Sequence, residues 1–116
     1  MPTQKWLIPD QTTSQDLSSA ALDYTTSIGR KFKLESITVH FSVAVTETIT
    51  IKRNSAYSSN YDAKLAEDDL VSAQDYVFRP RGECNFQEGE EIDIDITNAN
   101  ATGVAYVTVK CQELLM

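Results

Sequence analysis

The chain has 116 residues, enough for one domain with its own core and no need for a stabilising metal or disulfide. Its formal charge of −7 and pI near 4.5 argue against non-specific binding to nucleic acid or to an anionic membrane, since both require a basic face. No apolar stretch reaches the length of a membrane span and the first residues lack the pattern of a signal peptide, so we expect a protein made in the cytosol.

The first 16 residues show no clear hydrophobic period and are predicted to form an extended N-terminal arm, with residues 17–116 forming the folded domain. The arm carries an apolar patch made of Trp6, Leu7 and Ile8. Apolar side chains on an extended segment need a surface to cover them, and tryptophan is enriched at the centres of interfaces. We therefore predict that these three residues contact a neighbouring subunit or the surface of a larger particle.

Short runs of alternating apolar and polar residues follow the arm. Residues 16–24 are ambiguous between a short helix and a short edge strand, and the strand is favoured. In the next run the apolar residues Phe32 and Leu34 are at even positions, whereas those of residues 37–41 are at odd positions. This change predicts the longest strand of the protein, with a β-bulge near residues 35–36.

Residues 48–52 alternate as another strand and lead into a polar loop, residues 54–60, rich in turn-forming residues. Tyr57 lies within this loop and Tyr61 at its exit. The functional interpretations of the two tyrosines are a protein contact or stacking on a carbohydrate ring, and the structural one is packing against the next loop. The loop is the best candidate for a contact loop.

Residues 63–65 and 76–78 are shorter strands, and an acidic turn is predicted between them at Glu67, Asp68 and Asp69. Three neighbouring carboxylates suit calcium, which prefers oxygen ligands. The spacing of an EF-hand loop is missing, however, so a solvated turn is favoured over a metal site.

The clearest strand covers residues 91–97, where three isoleucines alternate with acidic residues. Asp93 and Asp95 are expected on its solvated outer face, about 7 Å apart. That spacing suits the carboxylate pair of a glycosidase, but two residues on one flat strand face form no cleft, so a solvated face is favoured. Residues 104–111 form the closing strand.

Roughly eight short strands at this spacing, with no clearly helical stretch, predict an all-β fold. We predict an antiparallel β-sandwich of the jelly-roll type with an extended N-terminal arm. The core is predicted from the apolar phase of each strand and consists of Ile37, Val39, Phe41, Ile49, Ile51, Ile92, Ile94, Ile96, Val107 and Val109.

Catalytic constellations are missing from the sequence, which shows neither a nucleophile with its base nor a phosphate-binding glycine loop. His40 has the outward phase of its strand and is interpreted as a surface residue. Cys84 and Cys111 have apolar phases and are interpreted as small buried side chains, with a disulfide between them as the less favoured alternative. One histidine and two cysteines make at most three ligands, which is too few for a structural zinc site. From these absences we predict no catalysis, no cofactor and no metal.

Four segments, residues 32–42, 48–51, 60–65 and 87–94, together resemble small jelly-roll virion proteins of tailed bacteriophages. The resemblance covers about residues 30–110 and is one of layout: a long strand, a Ser/Asn/Tyr loop, an acidic turn and a Glu-Gly-Glu turn before an alternating strand. It implies a virion protein made in the host cytoplasm, specifically a capsid decoration or cement protein. Such a protein would dock on the major capsid protein as a homo-oligomer, with a trimer favoured, and stabilise the particle.

The alternative to capsid decoration is a carbohydrate-binding or host-adhesion module of a phage tail or fibre. In that case Tyr57 and Tyr61 would provide the surfaces on which a sugar ring stacks.

Overall fold

The computed structural model describes residues 9–113, which form β-strands, connecting loops and one turn of 3₁₀-helix at Ser59–Tyr61. Two antiparallel sheets pack face to face, so the predicted all-β sandwich is confirmed. None of the described residues belongs to a helix long and apolar enough to cross a membrane. The strands are β1 (Gln11–Asp16), β2 (Leu22–Thr26), β3 (Phe32–Val45), β4 (Thr48–Asn54), β5 (Ala63–Asp69), β6 (Ala73–Phe78), β7 (Asn85–Phe86), β8 (Glu91–Ile96) and β9 (Val104–Glu113).

The strand order is that of a jelly roll. The first sheet has the order β1-β9-β3-β6, with the short β7 also paired to β3, and the second sheet has the order β2-β8-β4-β5. Antiparallel pairs are nested around the β4–β5 hairpin: β3 pairs with β6, β2 with β8 and β1 with β9. Such nesting is what a long hairpin gives when it rolls around a core, and it confirms the predicted jelly-roll type.

The core lies between the two sheets and follows the apolar phase of each strand. All ten predicted core residues are buried, with exposures of at most 2%. The three isoleucines of β8 are fully covered because β8 is a central strand of the second sheet. The other buried apolar side chains are Leu17, Leu22, Phe32, Leu34, Val45, Leu70, Phe86 and Ala105.

The predicted β-bulge is present in β3. The register of β3 against β9 shifts between Leu34 and Ser36, so Glu35 is the extra residue on the bulged strand. Because one extra residue reverses the side-chain phase, Leu34 and Ile37 both face the core although they are three positions apart.

The predicted boundary of the N-terminal arm is wrong. Gln11–Asp16, which we assigned to the arm, form β1 and pair with β9 from Gln11 opposite Val109 to Asp16 opposite Val104. The segment is polar because β1 is an edge strand with a half-exposed inner face, which leaves little hydrophobic period to detect. Trp6, Leu7 and Ile8 lie outside the described residues.

The predicted acidic turn is also wrong. Glu67, Asp68 and Asp69 are the last residues of β5, and the chain turns only after them, at residues 70–72. They occupy an edge strand, where charged side chains can reach solvent on both faces. We predicted a turn because the three residues are charged, but charged residues are equally compatible with an edge strand.

One end of the sandwich is fastened by Glu47, which is only 3% exposed in the β3–β4 connection. Its Oε1 accepts hydrogen bonds from the Thr97 hydroxyl at 2.8 Å and the Ala99 amide at 2.8 Å, and its Oε2 accepts one from the Asn100 amide at 2.9 Å. This buried carboxylate therefore holds the β8–β9 loop against the β3–β4 connection. No local pattern predicts this role, because the partners of Glu47 are 50 to 53 residues further along the chain.

Candidate functional site

Tyr57 and Tyr61 lie at the surface of the β4–β5 loop, as predicted. Their side chains are 91% and 71% exposed, and their rings meet edge to face with centroids 6.4 Å apart. The loop is closed by a hydrogen bond of 2.7 Å from the Ser55 amide to Asp62 Oδ1. Both rings line an open cleft of about 710 Å³ that Arg53 and Glu90 also border. That they bind a partner stays a prediction.

Arg53 forms the fixed wall of this cleft. Its guanidinium lies 4.3 Å from the centroid of the Phe86 ring, and its Nη2 donates to the Asn85 carbonyl at 2.9 Å. Stacking and hydrogen bonding together hold the cation in one orientation. The aromatic rings of the cleft are free at the surface while its cation is held in place.

The outer face of the second sheet carries a group of three carboxylates. Asp23 on β2 is directly opposite Asp95 on β8, and Asp93 follows on the same strand face, so the three side chains each offer an oxygen within 4.8 Å of the others. Lys52 is the nearby cation, with Nζ 4.0 Å from Asp95 Oδ2. Asp93 and Asp95 lie on the outer face of β8, as predicted, but they are only half-exposed and are close to a third carboxylate that the local sequence does not reveal.

The pKa of Asp95 is raised from its ordinary value of 3.8 to about 6. Partial burial is the main cause, followed by the charge of Asp93 and by the hydrogen bond and charge of Asp23, while Lys52 acts in the opposite direction. Asp93 Oδ1 is buried without a hydrogen-bond partner. A cation at this group would relieve the repulsion, because its three carboxylate oxygens can ligate a hard metal ion or accept hydrogen bonds from an ammonium group.

The three carboxylates at the end of β5 do not converge on one point. Glu67 Oε2 accepts from Lys64 Nζ at 2.8 Å, and Asp69 Oδ1 accepts from the Thr48 hydroxyl at 2.8 Å. Asp68 accepts a short hydrogen bond from the Tyr76 hydroxyl. Each carboxylate thus faces a different neighbour, which is not the convergent set that calcium requires.

His40 faces out of the first sheet, as predicted, and its Nδ1 lies 2.7 Å from Asp75 Oδ1 on β6. This pair was not visible in the sequence because β3 and β6 are distant along the chain. The described part of the chain holds one group of three or more His, Cys, Asp or Glu side chains close enough for a metal, namely the carboxylates on β2 and β8.

Cys84 and Cys111 are free and half-buried on either side of Leu34. Leu34 pairs with Cys111 on β9, and its amide donates to the Cys84 carbonyl at 2.8 Å. The two cysteines are therefore two strand spacings apart, about 9.5 Å, which is beyond the reach of a disulfide. Burial raises the pKa of the Cys111 thiol to about 12, with the charges of Asp10 and Glu35 adding to it.

Charge is segregated along the sandwich. We divide the sandwich at the middle row of paired residues in each sheet. The half next to the loops 17–21, 46–47, 70–72 and 97–103 is called the acidic half, and the other half is called the mixed half. The middle rows are Thr13, Val107, Val39 and Tyr76 in the first sheet, and Tyr24, Ile94, Ile51 and Ala66 in the second.

Within residues 9–113, the acidic half contains no lysine or arginine. Its carboxylates are Asp16, Asp23, Glu47, Glu67, Asp68, Asp69, Asp75 and Asp95. All the cations described are in the mixed half: Arg30, Lys31, Lys33, Lys52, Arg53, Lys64, Arg79, Arg81 and Lys110. The net negative charge of the protein is therefore concentrated in the acidic half, because the cations of the mixed half are matched there by carboxylates.

Comparisons with known proteins show no family for this chain. No protein-family model and no curated protein matches the chain. One solved structure that aligns with it is the NLP core from Drosophila, described in terms of pentamer formation and histone binding. The alignment has a TM-score of 0.48 and 13% identity and covers 90% of this chain and 98% of that one. A likeness at this level describes the arrangement of strands and transfers no function.

The function predicted from the phage resemblance is corrected here. We therefore withdraw the phage capsid decoration protein and the alternative of a tail adhesion module: no family model and no curated protein matches, and the aligned structure is described in terms of pentamer formation and histone binding. The jelly-roll layout on which we based the resemblance is shared by unrelated proteins. The expected location in the virion depended on that function, and no finding bears on it.

Proposed function

We propose that this protein is a non-enzymatic protein that self-associates and acts through contacts between protein surfaces. The observation that carries the proposal is the segregation of charge into an acidic half and a half that holds every described cation. The acidic half of one copy can attract the exposed cations of another, and complementary charge sets both the rate and the register of association.

The character of the surface supports contact rather than chemistry. Tyr57 and Tyr61 present largely exposed rings, and the outer face of the first sheet exposes Val77 by 52% and Tyr106 by 49%. Large aromatic and aliphatic side chains at the surface are typical of protein contacts. The three-carboxylate group stands on an open sheet face, where a substrate would not be enclosed.

Size-exclusion chromatography with light scattering tests self-association directly. We expect a mass of at least twice the 12.9 kDa of one chain over a wide range of protein concentrations. The trimer implied by the resemblance is one such multiple and is read from the same measurement. A particle of 12.9 kDa at every concentration contradicts the proposal.

A second candidate function is binding of a basic macromolecular partner, and the raised pKa of Asp95 favours it. Neutralisation by an incoming lysine or arginine would relieve the repulsion that Asp23 and Asp93 impose. Calorimetric titration with a lysine-rich peptide should give binding that weakens with salt and is lost in Asp23→Asn/Asp93→Asn/Asp95→Asn. Equal binding by Glu83→Gln/Glu88→Gln/Glu91→Gln is expected, and equal loss in both triple variants would mean that only net charge matters.

A further inference from the structure

One lateral edge of the sandwich is formed by β5 from the second sheet and β6 from the first. The Tyr76 hydroxyl on β6 donates to Asp68 on β5, so the two edge strands lie side by side across the gap between the sheets. Within residues 9–113, β6 pairs with β3 on one side and with no strand on the other. We call this surface the β5–β6 edge.

The edge strand β6 lacks the usual protection against pairing. Ala73–Phe78 contains no lysine and no proline, and its register shift against β3 lies before Asp75, at one end. Its single charge, Asp75, is held by His40 at 2.7 Å. An unpaired row of backbone N–H and C=O groups without such protection is a template for a strand of another chain.

The mixed-half end of the β5–β6 edge carries three cations beside two carboxylates, Glu35 and Glu83. Pro80 ends β6 because it cannot continue the ladder, and it places Arg79 and Arg81 on either side of itself, both exposed. Lys33 of β3 lines a small cavity of about 270 Å³ together with Arg79 and Pro80. We call Lys33, Arg79 and Arg81 the basic corner; none of the three forms an ion pair with another of the described residues.

The basic corner also has an apolar floor. A second cavity of about 390 Å³ shares Arg79 and Pro80 and is lined by Leu65 and Phe78. Aliphatic arginine stems above apolar side chains suit a protein segment that presents acidic groups beside small apolar ones.

The acidic-half end of the same edge carries that combination. Asp68 and Asp69 end β5, and they are held by the neutral hydroxyls of Tyr76 and Thr48, so no described cation neutralises them. Val71 follows in the connection to β6 and is 75% exposed. An exposed valine beside two carboxylates is complementary to the basic corner in both charge and polarity.

We propose that the β5–β6 edge is a docking surface for a second copy of this chain, related by a two-fold axis with β6 antiparallel to its counterpart. The inference rests on the proposed self-association. β6 has 6 residues, so the basic corner and the acidic end are about 20 Å apart on one edge. A two-fold axis between them places each acidic end against the basic corner of the partner, and both contacts form at once.

The experiment measures dimer dissociation by sedimentation equilibrium and light scattering for the full chain. Arg79→Glu/Arg81→Glu is expected to raise the dissociation constant at least about tenfold, because like charges then face each other twice. Lys110→Glu is the matched control, since it reverses an exposed cation on the outer face of the first sheet away from this edge. It should leave the dimer intact, and wild-type dimers should weaken as salt is raised.

Mixing two variants with reversed charges at opposite ends of the edge shows whether a weakened dimer results from misfolding. Asp68→Lys/Asp69→Lys should also weaken the dimer on its own, and mixing it with Arg79→Glu/Arg81→Glu should restore the affinity in a mixed dimer. Restoration shows that both variants are folded and that the two ends touch.

The outcomes separate the two proposals. A wild-type monomer at every concentration overturns self-association and this inference together. An oligomer that persists in Arg79→Glu/Arg81→Glu, or that has the mass of a trimer with no dimer, leaves self-association standing and overturns the β5–β6 edge. A dimer lost equally in Lys110→Glu overturns it as well, since net charge alone would then explain the effect.

Discussion

Glu47 and Asp95 are carboxylates of the same half of the sandwich, but their surroundings are opposite. Glu47 is almost completely buried and receives three hydrogen bonds from the β8–β9 loop. Asp95 is half-buried between two other carboxylates, and its pKa is raised. Burial alone therefore does not decide what a carboxylate does to stability in this fold. The hydrogen-bond donors or charges around the carboxylate decide whether it stabilises or destabilises the folded protein.

The largest effect is expected where the buried carboxylate is removed. Glu47→Ala leaves the Thr97 hydroxyl and two loop amides without their acceptor, so unfolding should become easier by about 3 to 5 kcal/mol. Urea denaturation followed by circular dichroism measures the change. Glu88→Ala, at an exposed turn, is the control and should change stability by less than about 0.5 kcal/mol. A cost as small for Glu47→Ala would mean that the loop is not held by this side chain.

The second test separates the outer face of β8 from the core behind it. Ile94→Ala removes a fully buried side chain and should cost about 2 to 5 kcal/mol. Asp93→Ala, one position away on the opposite face, should cost little, since its Oδ1 has no hydrogen-bond partner to lose. If denaturation shows Asp93→Ala to be the more damaging change, the assignment of the two faces is inverted.

A third substitution probes the loop that Glu47 holds. Gly103 has φ of +79°, and a Cβ at this position would lie 2.8 Å from Cγ2 of Val43. Gly103→Ala should therefore destabilise the protein by about 1 to 3 kcal/mol through backbone strain and overlap. Gly29→Ala is the matched control: its φ is +79° as well, but nothing lies within 4 Å of a Cβ there. The difference in melting temperature between the two variants isolates the overlap.

The smallest effect is expected at Asp95, where the substitution should stabilise the folded protein, unlike the three preceding changes. Its folded pKa of about 6 exceeds the ordinary 3.8, so the folded protein binds a proton that the unfolded chain releases between these values. The contribution of this group to stability is therefore favourable at low pH and is lost as pH rises through about 6. Asp95→Asn should melt slightly higher than wild type at pH 7 and no higher near pH 4. A variant that melts lower at pH 7 would contradict the proposed repulsion.

Strand content and core were predictable because the side-chain period was strong wherever one face is fully buried. The isoleucines of β8 and the change of phase in β3 gave both strand position and bulge. The edges were less predictable: β1 is polar on both faces, and β5 ends in charges that also suit a turn. Edge strands carry a weak period because they bury little.

The candidate surfaces were predictable only in part. The position of Tyr57 and Tyr61 on an exposed loop followed from local sequence. The approach of Asp23 to Asp95, the pairing of His40 with Asp75 and the burial of Glu47 depend on contacts between segments distant along the chain. Without the strand order, no local pattern identifies those partners, and the separation of charge into two halves cannot be seen.

The nested pairing of strands has a consequence for synthesis on the ribosome. Among residues 9–113, β1 pairs only with β9 and β2 only with β8, so these two strands have no sheet partner until the last two strands have been made. Of the strands that the structure describes, only β4 and β5 are both neighbours along the chain and paired, so their hairpin can form while translation continues. The nascent chain therefore carries Leu17 and Leu22 exposed for most of its elongation, and folding is completed in a late, cooperative step.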